Sequence, residues 1–320
     1  SEEPFFKPLT KVVDNLKFRF SIGSLGNQVT DSNHSYMSIL TGVSMDNYMM
    51  NGSIINALNI PSLPSLVSWE KVESKNLGLD FTLFKNRLSG SFDYYIRDTK
   101  GMVREITLPA VLGTSGGKKN LADMRTTGWE LELTWHDKTG AVLNSPISYH
   151  VTLGLSDYQA EITKYDNPSG SLADGMYYKG QKLGEIWGYV TDGYILDDFE
   201  ADKMNYVQKF ISTKWYPGDI KYKDLNGDGV IDNGNVTLSN PGDKTIIGNS
   251  TPRYRYNIQG GIEWHGFSVR VLFEGIGKRD MWTGSDQFWG FSRGIYNSNV
   301  TQYHIDNTWT YENPTAYYPR

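Results

Sequence analysis

The sequence predicts an all-β, antiparallel transmembrane β-barrel present only in part, with about seven strands and long extracellular loops. Three observations predict it. Segments of about nine to eleven residues alternate strictly between apolar and polar side chains. Tight turns join these segments at one end, and long polar, glycine-rich connections join them at the other. The composition is also biased, with 33 Gly, 21 Tyr and 9 Trp among 320 residues, toward strands and turns and away from helices.

The segments can be taken in order. An early one sets Leu16, Phe18, Phe20 and Ile22 over Lys17, Arg19 and Ser21. In the first clear pair, Leu77, Leu79, Phe81 and Leu83 alternate with Asp80 and Thr82. Lys85-Asn86-Arg87 then turns the chain into Leu88, Phe92, Tyr94 and Ile96, interleaved with Ser89, Ser91, Asp93 and Arg97. A second pair runs Trp129, Leu131, Leu133 and Trp135 against Glu130, Glu132, Thr134 and His136, and returns through Tyr149, Val151, Leu153 and Leu155. In the third, Tyr254, Tyr256, Ile258, Ile262 and Trp264 alternate with Arg253, Arg255, Asn257, Gln259 and Glu263. After His265-Gly266 come Phe267, Val269, Val271 and Phe273, with Ser268, Arg270 and Glu274 between them. Leu79, Phe81, Leu83, Phe92, Tyr94, Trp129, Leu131, Tyr256, Ile258, Val269 and Val271 are expected to share one continuous apolar face. Trp129, Trp135, Tyr254 and Trp264 suit the aromatic girdles of a barrel. The long external loops are expected at 23–76, 98–128, 157–252 and 276–320, within a single barrel domain covering 1–320.

Composition also excludes. A net charge of −5 argues against nucleic acid, whose phosphates are bound by clustered Lys and Arg. With no cysteine there are no disulfides, thiolate metal sites or cysteine nucleophiles. No run of about 18 apolar residues supplies a membrane helix, and Ser1-Glu2-Glu3-Pro4 lacks a signal peptide's pattern, so any signal is expected to be removed or upstream. The competing fold is a soluble sandwich or solenoid, in which one face of each sheet is also buried. Several charges per strand on the polar face and the length of the loops weigh against it.

The sharpest local motif is Asp224-Leu225-Asn226-Gly227-Asp228-Gly229-Val230-Ile231-Asp232, which matches the first nine positions of an EF-hand-type calcium loop. Oxygen side chains at Asp224, Asn226 and Asp228, the Val230 carbonyl and Asp232 would supply hard ligands to Ca2+. Asn235 stands where a bidentate glutamate would complete the set, so a weak, structural site is expected, against the alternative of a tight Asx-type turn. His34, His136, His150, His265 and His304 show no zinc-protease spacing, and no serine lies in a nucleophile elbow. His136 and His150 share the polar register of one hairpin and are expected to face each other in a wet lumen, while Asp197-Asp198 with Glu200 reads as a solvated acidic cluster. No enzymatic role is expected.

Several stretches resemble the SusC/RagA-type TonB-dependent transporters of Bacteroidetes outer membranes. Ser21-Ile22-Gly23-Ser24-Leu25-Gly26-Asn27-Gln28, Ser68-Trp69-Glu70 with Asn76-Leu77-Gly78-Leu79-Asp80, and Asn86-Arg87-Leu88-Ser89-Gly90-Ser91-Phe92-Asp93-Tyr94-Tyr95 carry the likeness. So do Leu108-Pro109-Ala110-Val111-Leu112-Gly113, Gly128-Trp129-Glu130-Leu131, Gly218-Asp219-Ile220-Lys221-Tyr222 and Ile247-Gly248-Asn249-Ser250-Thr251-Pro252-Arg253-Tyr254. The resemblance implies a 22-stranded barrel with a plug, a SusD-like lipoprotein lid, a TonB complex as energy source and a glycan or peptide cargo, in outer-membrane lipid. The chain lacks a TonB box and a plug, so it is expected to be one part of such a transporter. Arg97, Glu130, Glu132, Arg253, Arg255, Arg270 and Glu274 would line the lumen, and Trp187, Tyr189, Tyr194, Trp282 and Trp289 would stack on cargo sugars. The competing function is a soluble β-rich carbohydrate-binding or calcium-dependent adhesion module.

Overall fold

The computed structural model describes residues 12–28, 42–58, 67–105, 118–283, 286–289 and 300–320. His34 and the Leu108–Gly113 stretch lie outside the described residues. In chain order the elements begin with β1 (Val13–Asn27), β2 (Gly42–Met50), β3 (Ser53–Leu58), β4 (Glu70–Leu83), β5 (Leu88–Glu105), β6 (Lys118–Val142) and β7 (Ser145–Tyr165). They continue with β8 (Glu185–Tyr189), β9 (Thr191–Tyr194), α1 (Asp198–Val207), β10 (Ile220–Tyr222), β11 (Lys244–Asn249), β12 (Arg253–Trp264), β13 (Phe267–Lys278), α2 (Asp286–Trp289) and α3 (Gln302–Asp306). Two compact units result: Ser1–Asp166 with Lys179–Lys182 and Arg253–Gly277, and Asn167–Tyr178 with Leu183–Pro252 and Lys278–Arg320.

The first unit is built on a seven-stranded sheet in the order β1-β4-β5-β6-β7-β12-β13. The expected number of strands and their antiparallel pairing are therefore present. Register then decides the faces, because side chains opposite one another across a ladder point the same way. Phe18, Leu79, Phe92, Leu131, Leu155 and Tyr256 are successive partners across six strands, and so are Leu16, Phe81, Gly90, Leu133, Leu153 and Ile258. The offset rows are polar: Lys17, Asp80, Ser91, Glu132, Gly154 and Asn257, then Arg19, Gly78, Asp93, Glu130, Ser156 and Arg255. The apolar rows stay open to the surroundings, with Leu153 45% and Ile258 42% exposed and Phe18 74% on the edge strand. A soluble sandwich covers such a face with a second sheet, so this exposure favours the barrel wall.

The tight turns have a local cause. Leu143-Asn144 and His265-Gly266 each connect two strands with both residues at positive φ, the primed geometry whose twist matches that of paired strands. Asn51-Gly52 does the same between β2 and β3, which form a separate two-stranded sheet. Phe84, Lys85 and Asn86, all at positive φ, close the β4–β5 hairpin at the expected turn.

The loop boundaries differ from expectation. Strands continue through 23–27, 70–76, 98–105, 118–128 and 157–165, all expected as loop. The apolar alternation fades there, and polar cross-strand pairs take over, such as Arg125 Nε to Asp98 Oδ1 at 2.7 Å and Lys100 Nζ to Glu73 Oε2 at 2.7 Å. Pairing in water needs no greasy face, so a search for alternation stops short of it. Trp129 thereby falls inside β6 instead of at its end. At roughly 3.3 Å per residue it stands about 20 Å from Trp135, close to the height of a barrel's apolar band.

Glycines let bulky neighbours cross the sheet. A Cβ on Gly128 would lie 2.5 Å from Tyr95 Cζ and 2.9 Å from Tyr158 Cβ. Gly128→Val is expected to destabilise the folded sheet by about 1–3 kcal/mol, the usual cost of overpacking, measured as a lowered urea midpoint in lipid vesicles. An unchanged midpoint would mean that the Tyr95 ring moves aside freely.

The second unit corrects the expectation of a plain loop over 157–252. It has its own core, with Ile195, Ala201 and Met204 buried against Val207 and Trp215, and with Ile231 fully buried. β8 pairs with β11 and β9 with β10.

Candidate functional site

On the polar face of the first unit lies an open groove of about 670 Å³, lined by Asp93, Glu130, Glu132, Arg255 and Glu274 together with Ser91, Ser156 and Asn257. Register puts these residues side by side: Asp93 opposes Glu130, Glu130 opposes Ser156, and Ser156 opposes Arg255. Beside it the Arg19 guanidinium donates to Asp80 Oδ1 and Asp93 Oδ2 at 2.8 and 2.7 Å. Gly78 makes room for it, since a Cβ there would come within 2.7 Å of Arg19 Cζ. Glu130, Glu132, Arg255 and Glu274 thus meet in the groove. Arg97 stands in the polar register between Ser74 and Thr126, and Arg270 reaches Glu263 at 3.9 Å.

Arg253 departs from that set. Tyr254 has a φ of 54°, which interrupts the alternation at the start of β12, and Arg253 clamps the buried Asp157 with Nε to Oδ1 at 2.6 Å and Nη2 to Oδ2 at 2.5 Å. Asp157 itself opposes Trp129 in the apolar register. His136 and His150 oppose each other as expected, and the His150 ring occupies space that a Cβ on Gly261 would need.

The five aromatic residues expected to stack on cargo have different partners. Tyr189 packs 5.4 Å from Tyr222, with Lys244 Nζ 5.5 Å from its ring centre. Trp187, on the same strand, meets Tyr178 edge-on. Tyr194 donates its hydroxyl to the Tyr317 carbonyl at 2.9 Å. Trp282 is 70% exposed, while Trp289 donates its indole N–H to the Thr283 carbonyl and packs edge-on against Phe288. Burial raises the pKa of the Tyr189, Tyr194 and Tyr222 hydroxyls, so all three are neutral hydrogen-bonding groups.

The Asp224 loop is a chain of Asx turns. Asp224 accepts from the Gly227 and Gly229 N–H groups at 2.6 and 2.8 Å, Asn226 Oδ1 from Asp228 N at 2.9 Å, and Asp228 Oδ1 from Val230 N at 2.9 Å. Asp232 Oδ1 accepts from Gly234 N at 2.7 Å. Among the described residues no three Asp, Glu or His side chains converge as a ready metal site.

No family model matches the chain. TonB-dependent receptor P39 of Formosa agariphila is 24% identical over 344 residues, covering 100% of this chain and 32% of its own length. TonB-dependent receptor SusC of Bacteroides thetaiotaomicron is 23% identical over 73% of this chain and 23% of its own. The solved structure of the RagAB peptide transporter superposes with a TM-score of 0.69 and 20% identity, covering 99% of this chain and 32% of that one. By sequence this chain is similar to TonB-dependent receptors, SusC among them. It spans about a third of the length of the first relatives it matches.

Sequence reasoning missed two buried organisers in the second unit. Asp243 is fully buried, and its carboxylate accepts from Leu225 N at 2.7 Å and Asp232 N at 2.9 Å, pinning both ends of the Asp224 loop. Gln208, also fully buried, accepts from Tyr222 N at 2.6 Å and donates to the Ile220 carbonyl at 3.3 Å. A missed signal did exist at α1. Asp197 and Glu200 are spaced as a helix-start pair, and Asp197 Oδ1 accepts from Glu200 N at 2.8 Å while Glu200 Oε2 accepts from Leu196 N at 2.9 Å. Burial opposes the charge on Glu200, but the Lys221 ammonium at 2.7 Å and the Leu196 N–H outweigh it and hold its pKa below the ordinary value. These acids therefore build a helix start and an ion pair, and are more than a solvated cluster.

Proposed function

We propose that this chain is a stretch of the barrel wall, with external loops, of an outer-membrane importer that takes up oligosaccharides or peptides by the TonB-dependent route. The observation that carries it is the two-faced sheet: apolar rows exposed on one side, a charged groove on the other. Its role is selective passage and not bond-making, and the names of its relatives, receptors and transporters, support that. The partners are outer-membrane lipid on the apolar face, a SusD-like lipoprotein over the loops, and the TonB complex through regions outside this chain. The test is uptake of labelled oligosaccharide and peptide pools by cells carrying the intact protein. Glu132→Trp, which plugs the groove without touching the lipid face, is expected to cut uptake at least about tenfold with normal surface abundance. Unchanged uptake of every pool would overturn the proposal.

Calcium at the Asp224 loop is part of the same reading. Each carboxylate oxygen that accepts one N–H keeps a further lone pair, so the turns leave Asp224, Asn226, Asp228, the Val230 carbonyl and Asp232 able to ligate. The expected result is millimolar-class binding by calorimetry that disappears in Asp228→Ala. Equal heats from both proteins, or none from either, would reduce the motif to a set of turns.

A further inference from the structure

The second unit holds a cavity of about 540 Å³ at α3, walled by Phe288, Trp289, His304, Ile305, Tyr318 and Pro319. We propose that it is a binding pocket for one neutral aromatic ring, of the indole or phenyl kind. Two observations carry this. The walls are aromatic: His304 and Tyr318 stack at 4.1 Å with planes 28° apart, and Phe288 meets Tyr318 edge-on at 5.5 Å and Trp289 at 5.0 Å. A ring entering here extends a ring cluster already in place.

The polar atoms of the lining are largely committed. Thr308 Oγ1 donates to the His304 carbonyl at 2.7 Å, and Thr310 Oγ1 accepts from Asn313 N at 3.0 Å. Arg320 is turned to Asp219 at 3.5 Å and lies 4.5 Å from the Tyr216 ring centre. A pyranose brings several hydroxyls that each need a partner, which this lining does not supply, and an anion would find its cation already paired. This makes Trp289 a wall of an aromatic-ring pocket, and the inference stands whether or not the import reading holds.

The test uses the intact protein in detergent, titrated with N-acetyltryptophanamide, N-acetylphenylalaninamide and methyl glucoside, with binding read by ligand-observed NMR. Both amides are expected to bind saturably and the glucoside not at all. Ile305→Trp fills the cavity from a residue that is 56% exposed, so the fold tolerates it, and is expected to abolish binding of both amides. Absence of saturable binding, undiminished binding in Ile305→Trp, or glucoside binding equal to the amides would overturn the proposal.

Discussion

Leu133→Arg is expected to cost the folded barrel about 2–4 kcal/mol, whereas Glu132→Arg, its neighbour in sequence, costs little. Leu133 stands in the row Phe81, Gly90, Leu133, Leu153 and Ile258, which is the face that meets lipid, near the middle of the span between Trp129 and Trp135. A guanidinium there must leave water for hydrocarbon, a transfer that snorkelling only partly relieves. Glu132 opposes Ser91 and Gly154 on the groove side, where water already solvates a charge. Unfolding midpoints of the intact protein in lipid vesicles, measured for both variants, separate the faces. Equal costs would mean that the two sides of the sheet see the same medium.

Asp243→Ala is expected to loosen the second unit by about 3 kcal/mol or more. The carboxylate is fully buried and takes the N–H groups of both Leu225 and Asp232, while its own N–H donates to the Asp232 carbonyl at 3.0 Å. Alanine leaves two donors with no acceptor, each costing about 1–3 kcal/mol. Asp243→Asn keeps one acceptor and should fall between. Hydrogen exchange at Leu225 and Asp232 reports the effect locally, and unchanged protection in Asp243→Ala would remove Asp243 from its role as anchor.

Some of this was legible in the sequence and some was not, for physical reasons. Period-two alternation is strong where one face meets lipid and the other water, so the strand number, the Lys85-Asn86-Arg87 turn and the His136–His150 pairing could be read directly. The signal vanishes where strands rise out of the apolar band and both faces are wet, so Asp98–Arg125 and Glu73–Lys100 fall where alternation predicts loop. Tyr254 at positive φ breaks the alternation with nothing in its residue type to announce it. The core of the second unit joins Ile195 to Met204 across a helix start whose Asp197 and Glu200 were read as mere charge. Asp243 lies 18 residues beyond the Leu225 N–H and 11 beyond the Asp232 N–H that it accepts, spacings that no local motif encodes.

The most direct test of the two-faced wall uses the natural absence of cysteine. Single substitutions Glu130→Cys, Leu131→Cys, Glu132→Cys and Leu133→Cys in the intact protein, spin-labelled in lipid vesicles, report each position's exposure to a water-soluble relaxation agent and to oxygen dissolved in lipid. The expected result is alternation with a period of two, with 130 and 132 exposed to the aqueous agent and 131 and 133 to oxygen. Equal aqueous exposure at all four positions, or the opposite phase, would contradict the barrel wall.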